Sequence, residues 1–134
     1  MTSRNLELLP REECLRLLRT QYLGRVGVRI GQAPSILPVV FAMLDDDVVF
    51  RTDPGTKLSA AVMRTIVAFE VDDADPTTRT GWSVLVVGPV EEVTDAKTLA
   101  RVDALGLEPW VDHDRDYVLR IHSRTVTGRR IPGH

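Results

Sequence analysis

Two stretches of this chain, residues 35–44 and 83–93, are apolar at nearly every position instead of at every second one. The first reads Ser-Ile-Leu-Pro-Val-Val-Phe-Ala-Met-Leu and the second Ser-Val-Leu-Val-Val-Gly-Pro-Val-Glu-Glu-Val. Side chains of a strand alternate between its two faces, so a strand with water on one face reads apolar-polar-apolar. Strands apolar on both faces must bury both. A closed barrel buries the inner face, and the outer face then needs a second chain or a layer of helices. Gly88-Pro89 inside the second stretch predicts a bulge or bend there, because proline cannot donate to a ladder.

The remaining pattern is also strand-rich. A leading helix is predicted over 10–22. Pro10 suits a first helical turn, Glu12 and Glu13 suit its positive end, and Cys14, Leu15, Leu17, Leu18 and Tyr22 share one face. Strands follow at 25–30, 35–44 and 48–52, joined by Gly31-Gln32-Ala33-Pro34 and Asp45-Asp46-Asp47 turns, which makes two consecutive hairpins. A short helix is expected from about Gly55, then a strand over 63–71 broken by Asp72-Asp73-Ala74-Asp75-Pro76. The long strand 80–93 precedes a helix capped by Thr94 or Asp95, with Leu99, Val102 and Leu105 inward and Gly106 at its end. A last long strand is expected over 116–126. Without a strand-helix-strand rhythm, a doubly wound parallel sheet is excluded, and the class is mainly β (α+β) in one domain over 1–134.

Composition limits the chemistry. Seventeen basic against nineteen acidic residues leave a net charge of −2, which is no footprint for nucleic acid or an anionic membrane. No apolar run reaches the length needed to span a bilayer. The single cysteine, Cys14, excludes an internal disulfide and suits a reducing cytoplasm, the expected location; on the apolar face of the first helix it reads as core. No zinc-ligand spacing occurs, so no metal is expected, and no serine lies in a nucleophile elbow, which argues against a serine hydrolase. His113 lies in a polar loop and the Asp45–47 run reads as a solvated turn. His122 has no obvious partner, and Trp110 could pack at a dimer edge or cover a pocket.

The segment Val48-Val49-Phe50-Arg51-Thr52-Asp53-Pro54-Gly55-Thr56-Lys57-Leu58 carries the clearest chemical signal. A buried strand ends in an arginine and a threonine, and a Pro-Gly turn opens a helix at Thr56 and Lys57. Free amides at a helix start, a hydroxyl, a lysine and the fork of Arg51 can cradle a phosphate. The same residues also describe an ordinary capped helix after a hairpin.

With its neighbours, that turn resembles the pyridoxamine 5'-phosphate oxidase-like group of FMN-binding split barrels. The resemblance runs through Leu23-Gly24-Arg25-Val26, Leu37-Pro38-Val39-Val40-Phe41, Phe50-Arg51-Thr52 with Gly55 and Lys57, Val67-Ala68-Phe69-Glu70-Val71-Asp72, Gly81-Trp82-Ser83 with the strand after it, and Thr127-Gly128-Arg129-Arg130. It implies a six-stranded Greek-key split β-barrel with flanking helices. It also implies a homodimer with FMN at the interface and oxidoreductase chemistry on a small organic substrate. Pro38, Val39 and Val40 would pass the flavin ring. Arg51, Thr52, Thr56 and Lys57 would hold the phosphate and ribityl chain, Trp82 and Ser83 would reach in from the other subunit, and Arg129 would lie near the site mouth. The chain departs from the oxidases proper at Ile36 and Phe41, where they carry basic residues, and it lacks their C-terminal substrate segment after Arg130. Other readings of the same barrel are a deazaflavin-dependent reductase and a non-catalytic flavin- or haem-binding protein, with His122 as the axial candidate for haem.

Overall fold

The computed structural model describes residues 6–53, 55–63, 65–107 and 117–133. Its elements are β1 (Glu7–Leu9), α1 (Arg11–Leu18), β2 (Leu23–Ile30), β3 (Ala33–Leu44), β4 (Asp47–Thr52), α2 (Lys57–Val62), β5 (Ile66–Asp75), β6 (Thr80–Glu92), α3 (Ala96–Ala104), β7 (Tyr117–Ile121) and β8 (Thr125–Pro132).

Six strands, β2, β3, β4, β7, β6 and β5 in that order, form a closed antiparallel ring, as the doubly apolar stretches require. β8 and then β1 extend the sheet outward from β6. β6 therefore serves two partners on one edge. Thr80–Val87 pair with β8 and Val90–Glu92 pair with β7. The change of partner falls at Gly88-Pro89, where the sequence predicts a bend. His122 crosses there and its N–H donates to the Pro89 carbonyl at 2.9 Å.

This crossing explains one departure from expectation. The stretch 116–126 is not one strand: it divides at His122–Arg124 because β7 and β8 lie on different halves of β6. The first helix stops at Leu18, four residues early, since the Tyr22 carbonyl accepts from the Phe41 N–H (2.9 Å) and already belongs to the β2–β3 ladder. β5 begins at Ile66 because Val62, at the end of α2, is fully buried and Met63 caps that helix against the core. The acidic run does not break β5. Asp72 to Asp75 pair with Ser83 to Thr80, and their exposed carboxylates stay solvated on an arm that projects past the ring.

Val26, Phe41, Phe50, Val67, Phe69, Val71, Val84, Val86, Leu119 and Ile121 fill the barrel, with Phe41 and Phe69 edge to face at 4.9 Å between ring centres. α1 plugs the side toward β8 with Cys14, Leu15, Leu17 and Leu18, so Cys14 is core as expected. The outer face is divided. Over β3, β4 and β7 it is covered: Val40, Ala42, Leu44, Val49 and Val118 pack with Leu99 and Val102 of α3 and with Leu107. Over β2, β5 and the first half of β6 it is open, and Ile36 (73%), Ile66 (61%) and Leu85 (40%) stand exposed.

Candidate functional site

The backbone of β3 supplies the first part of the site. β2 and β3 meet at a tight turn with Ile30 opposite Ala33, where Gly31 takes a positive φ of 61°. Hydrogen-bonded pairs alternate in an antiparallel ladder. The Phe41-to-Tyr22 bond sets their phase, so Val39 and Leu37 turn their amides toward β2, while Ile36 and Val40 turn theirs, and Pro38 its carbonyl, away. The two prolines, Pro34 and Pro38, thus fall where no N–H is owed to β2. On the opposite edge β4 begins to pair only at Phe41. Along Ile36–Pro38, β3 has an edge with no strand partner among the described residues, and the Val40 amide opens onto the same edge.

The sequence-predicted residues separate by face. Pro38 is exposed and Val40 half-buried on the outer side, whereas the Val39 side chain is buried in the core, so only its backbone can meet a ligand. Thr52 is buried at the end of β4. Thr56 is the N-cap of α2: its hydroxyl accepts from the Ser59 N–H (3.0 Å) and donates to the Asp53 carbonyl (3.1 Å). Gly55 before it takes a positive φ of 82°. Lys57 opens α2, and its side chain lies outside the described residues, as do Trp110 and His113. Arg51 does not stand open at the turn. Its Nε donates to the Leu107 carbonyl and its Nη2 to Asp103, both at 2.7 Å, which ties β4 to the end of α3.

Trp82 and Ser83 point to opposite faces. Ser83 shares the outer face with Asp72 and Arg129, its cross-strand neighbours. Trp82 lies on the inner face, half-buried, in a row with Asp73 and Arg130. Beyond it the arm formed by β5, β6 and β8 borders an open concavity of about 510 Å³.

Sequence reading missed a charged cluster on the open outer face. Arg25 of β2 stands opposite Pro38 on one side and Glu70 on the other. Its Nη1 lies 3.3 Å from Glu70 and 3.7 Å from Asp72. The group borders a cavity of about 340 Å³ lined also by Gly27, Ile36 and Ala68. Burial beside Asp72 pushes the Glu70 carboxyl up to about 7, against the weaker pull of Arg25. The available signal was the spacing: residues 70 and 72 lie on the same face of a strand.

His122 is held on both sides, with Nε2 2.7 Å from Glu91 and Nδ1 3.3 Å from Asp47. Neither nitrogen is open to an axial position. No metal-binding cluster occurs among the described residues.

Comparison with known proteins gives this geometry its kinship. The chain is 41% identical to an uncharacterized protein of Mycobacterium tuberculosis, across 97% of this chain and 88% of that one. Its structure is similar to that of an FAD-binding protein from Mycobacterium smegmatis (TM-score 0.86, 35% identity, 93% of this chain and 98% of that one). It is also similar to an FAD-binding protein from Mesorhizobium loti (TM-score 0.74, 25% identity, 93% and 97%). With a family model described as pyridoxamine 5'-phosphate oxidase matching residues 10–130, the chain belongs to that family of split barrels.

Proposed function

We propose that this chain binds a flavin along the open edge of β3, in a groove completed by a second copy of itself, and serves as a flavin-dependent oxidoreductase for a small organic substrate. The observation that carries this reading is the edge itself. A strand of a closed barrel ordinarily pairs on both sides, and unpaired backbone groups require partners. Here the backbone of Ile36, the carbonyl of Pro38 and the amide of Val40 have no strand partner among the described residues. They offer alternating acceptors and donors of the kind that the polar rim of a flavin ring matches. The FAD-binding relatives share this fold.

In this reading Pro38, Val39 and Val40 meet the ring, Val39 through its backbone alone. Thr52, Thr56 and Lys57 form the turn that takes the phosphate, with Arg51 behind it. The second copy brings Trp82 and Ser83. It covers the open outer face, whose exposed Ile36, Ile66 and Leu85 call for burial. When bound, the flavin supplies the electron transfer, and the protein orients it and excludes water. FMN was the expectation from sequence. FAD contains the same FMN moiety, so the ring and first phosphate make equal demands in either case. The haem reading has no support at His122, whose nitrogens are both engaged.

Titration of the purified protein with FMN, FAD and deazaflavin, followed by flavin absorbance and fluorescence, tests the proposal. Saturable flavin binding that falls at least ~10-fold in Lys57→Ala, the scale of one charge-assisted contact, is the expected result. Absence of binding by either flavin would overturn it, and binding of deazaflavin alone would transfer the groove to that cofactor.

A further inference from the structure

Resting on the flavin reading, we propose that the concave end of the arm built by β5, β6 and β8 is a nucleotide site that takes the adenylate half of the cofactor, so that the chain prefers FAD to FMN.

The arm runs beyond the barrel core, and past Trp82 its inner face is open. The cavity there measures about 510 Å³, and Asp73, Asp75, Thr80, Trp82, Arg130 and Pro132 contribute to its wall. That volume falls within the ~300–1,000 Å³ of ordinary small-molecule sites. Its polar groups are only partly committed. The Asp73 carboxylate and the Trp82 indole N–H have no hydrogen-bond partner among the described residues. Arg130 has a single long contact, 3.5 Å to Glu13, and that carboxylate is chiefly engaged by Arg16. By contrast, one oxygen of Asp75 is occupied by the amides of Thr77 and Thr78, which shape the loop at the rim.

The register places the uncommitted groups in order. Asp73, Trp82 and Arg130 are directly opposite one another on three adjacent strands and share one face. Neighbouring strands lie ~4.8 Å apart, so the row offers an acceptor, an aromatic platform and a cation across ~10 Å. A base stacked on Trp82 would turn an exocyclic amine toward Asp73, and a phosphate would meet the fork of Arg130. An adenine joined to a phosphate has these groups in this order. FMN, which ends at its single phosphate, has none of them to offer here.

The opposed directions of Trp82 and Ser83 support the same reading. Ser83 shares the open outer face with the Pro38 row, while Trp82 faces away from it. A ligand that meets both must extend around the arm, and a dinucleotide is long enough to do so.

The test is to measure FMN, FAD and AMP binding by calorimetry on the wild-type chain and on Asp73→Asn, Trp82→Phe and Arg130→Gln, with circular dichroism confirming the fold. The expected result is FAD at least ~10-fold tighter than FMN. Arg130→Gln and Asp73→Asn should each lower FAD affinity ~10-fold while leaving FMN within about twofold, and Trp82→Phe should retain most of it. Equal affinity for the two flavins, or equal losses for both in the variants, would overturn the proposal. If neither flavin binds, the flavin reading fails and AMP decides the pocket. Saturable AMP binding lost in Arg130→Gln upholds a nucleotide site, and no AMP binding removes it.

Discussion

At Gly88, an added methyl group would stand 1.6 Å from the carbonyl oxygen of His122 and 2.9 Å from its carbon. Both are backbone atoms of the crossing between β7 and β8, so neither can rotate away. Gly88→Ala is expected to cost more than ~3 kcal/mol in urea denaturation, whereas Gly27→Ala, whose methyl would meet Ala68 Cβ at 3.6 Å, should change stability by less than ~1 kcal/mol. Arg51 illustrates what a single residue discloses in sequence and what it withholds. A fork of donors at a strand end was legible beside the Pro-Gly turn. That Leu107 and Asp103, more than fifty positions later, would engage it was not, because partners so distant are set by topology. Arg51→Gln should therefore destabilise the fold by ~1–3 kcal/mol, as the buried Leu107 carbonyl loses its donor. Asp103→Ala should cost under ~1 kcal/mol, since Asp103 is 71% exposed. If both variants weaken flavin binding alike, Arg51 acts by positioning β4 against α3; if only Arg51→Gln does, it contacts the phosphate.

Strand and helix extents follow from the ladder more than from local propensity. The doubly apolar run marked β6 as a strand buried on both faces, and the hairpins fell where glycine and aspartate turns placed them. The four acidic or small residues 72–75 read as a breaker, yet they form strand because β6 offers each a partner and solvent hydrates the carboxylates. On this same element sits Glu70, with a titration the sequence alone could not reveal. Its carboxyl is raised from the ordinary 4.5 to about 7, first by burial and then by Asp72. Between those values the folded chain holds a proton that the unfolded chain has released, so stability falls as pH rises through that window. Solvent reaches a third of this side chain, so the loss should be only on the order of 1 kcal/mol. Denaturation midpoints at about pH 4.5 and pH 8 check it. Glu70→Gln, which cannot ionise, should flatten the difference.

For the whole molecule, the doubly apolar stretches posed a choice between a helical layer and a second chain on the outer face. The structure divides that face: α3 takes the half over β3, β4 and β7, and the half over β2, β5 and β6 is left bare. In the proposed dimer the second copy covers the bare half. Ile36→Asp should shift the chain from dimer to monomer in sedimentation velocity while leaving its circular dichroism unchanged, because Ile36 is 73% exposed and outside the core. The overall architecture was legible because closure, pleat and turn chemistry are periodic in sequence. The faces of Trp82 and Ser83 relative to the groove were not, since a one-residue change in register exchanges them. The ring itself fastens with unequal strength. β5 and β6 share ten paired positions and β6 and β8 share eight, but only three join β6 to β7 and only three join β2 to β5. Such short buckles give way first when the molecule breathes. In deuterated buffer, the amides that bond across the β6–β7 seam, those of Val93 to the Val118 carbonyl and His122 to the Pro89 carbonyl, should lose their protons well before those of Val84 to Val87, and the belt would then lie open while the arm beside it stays intact.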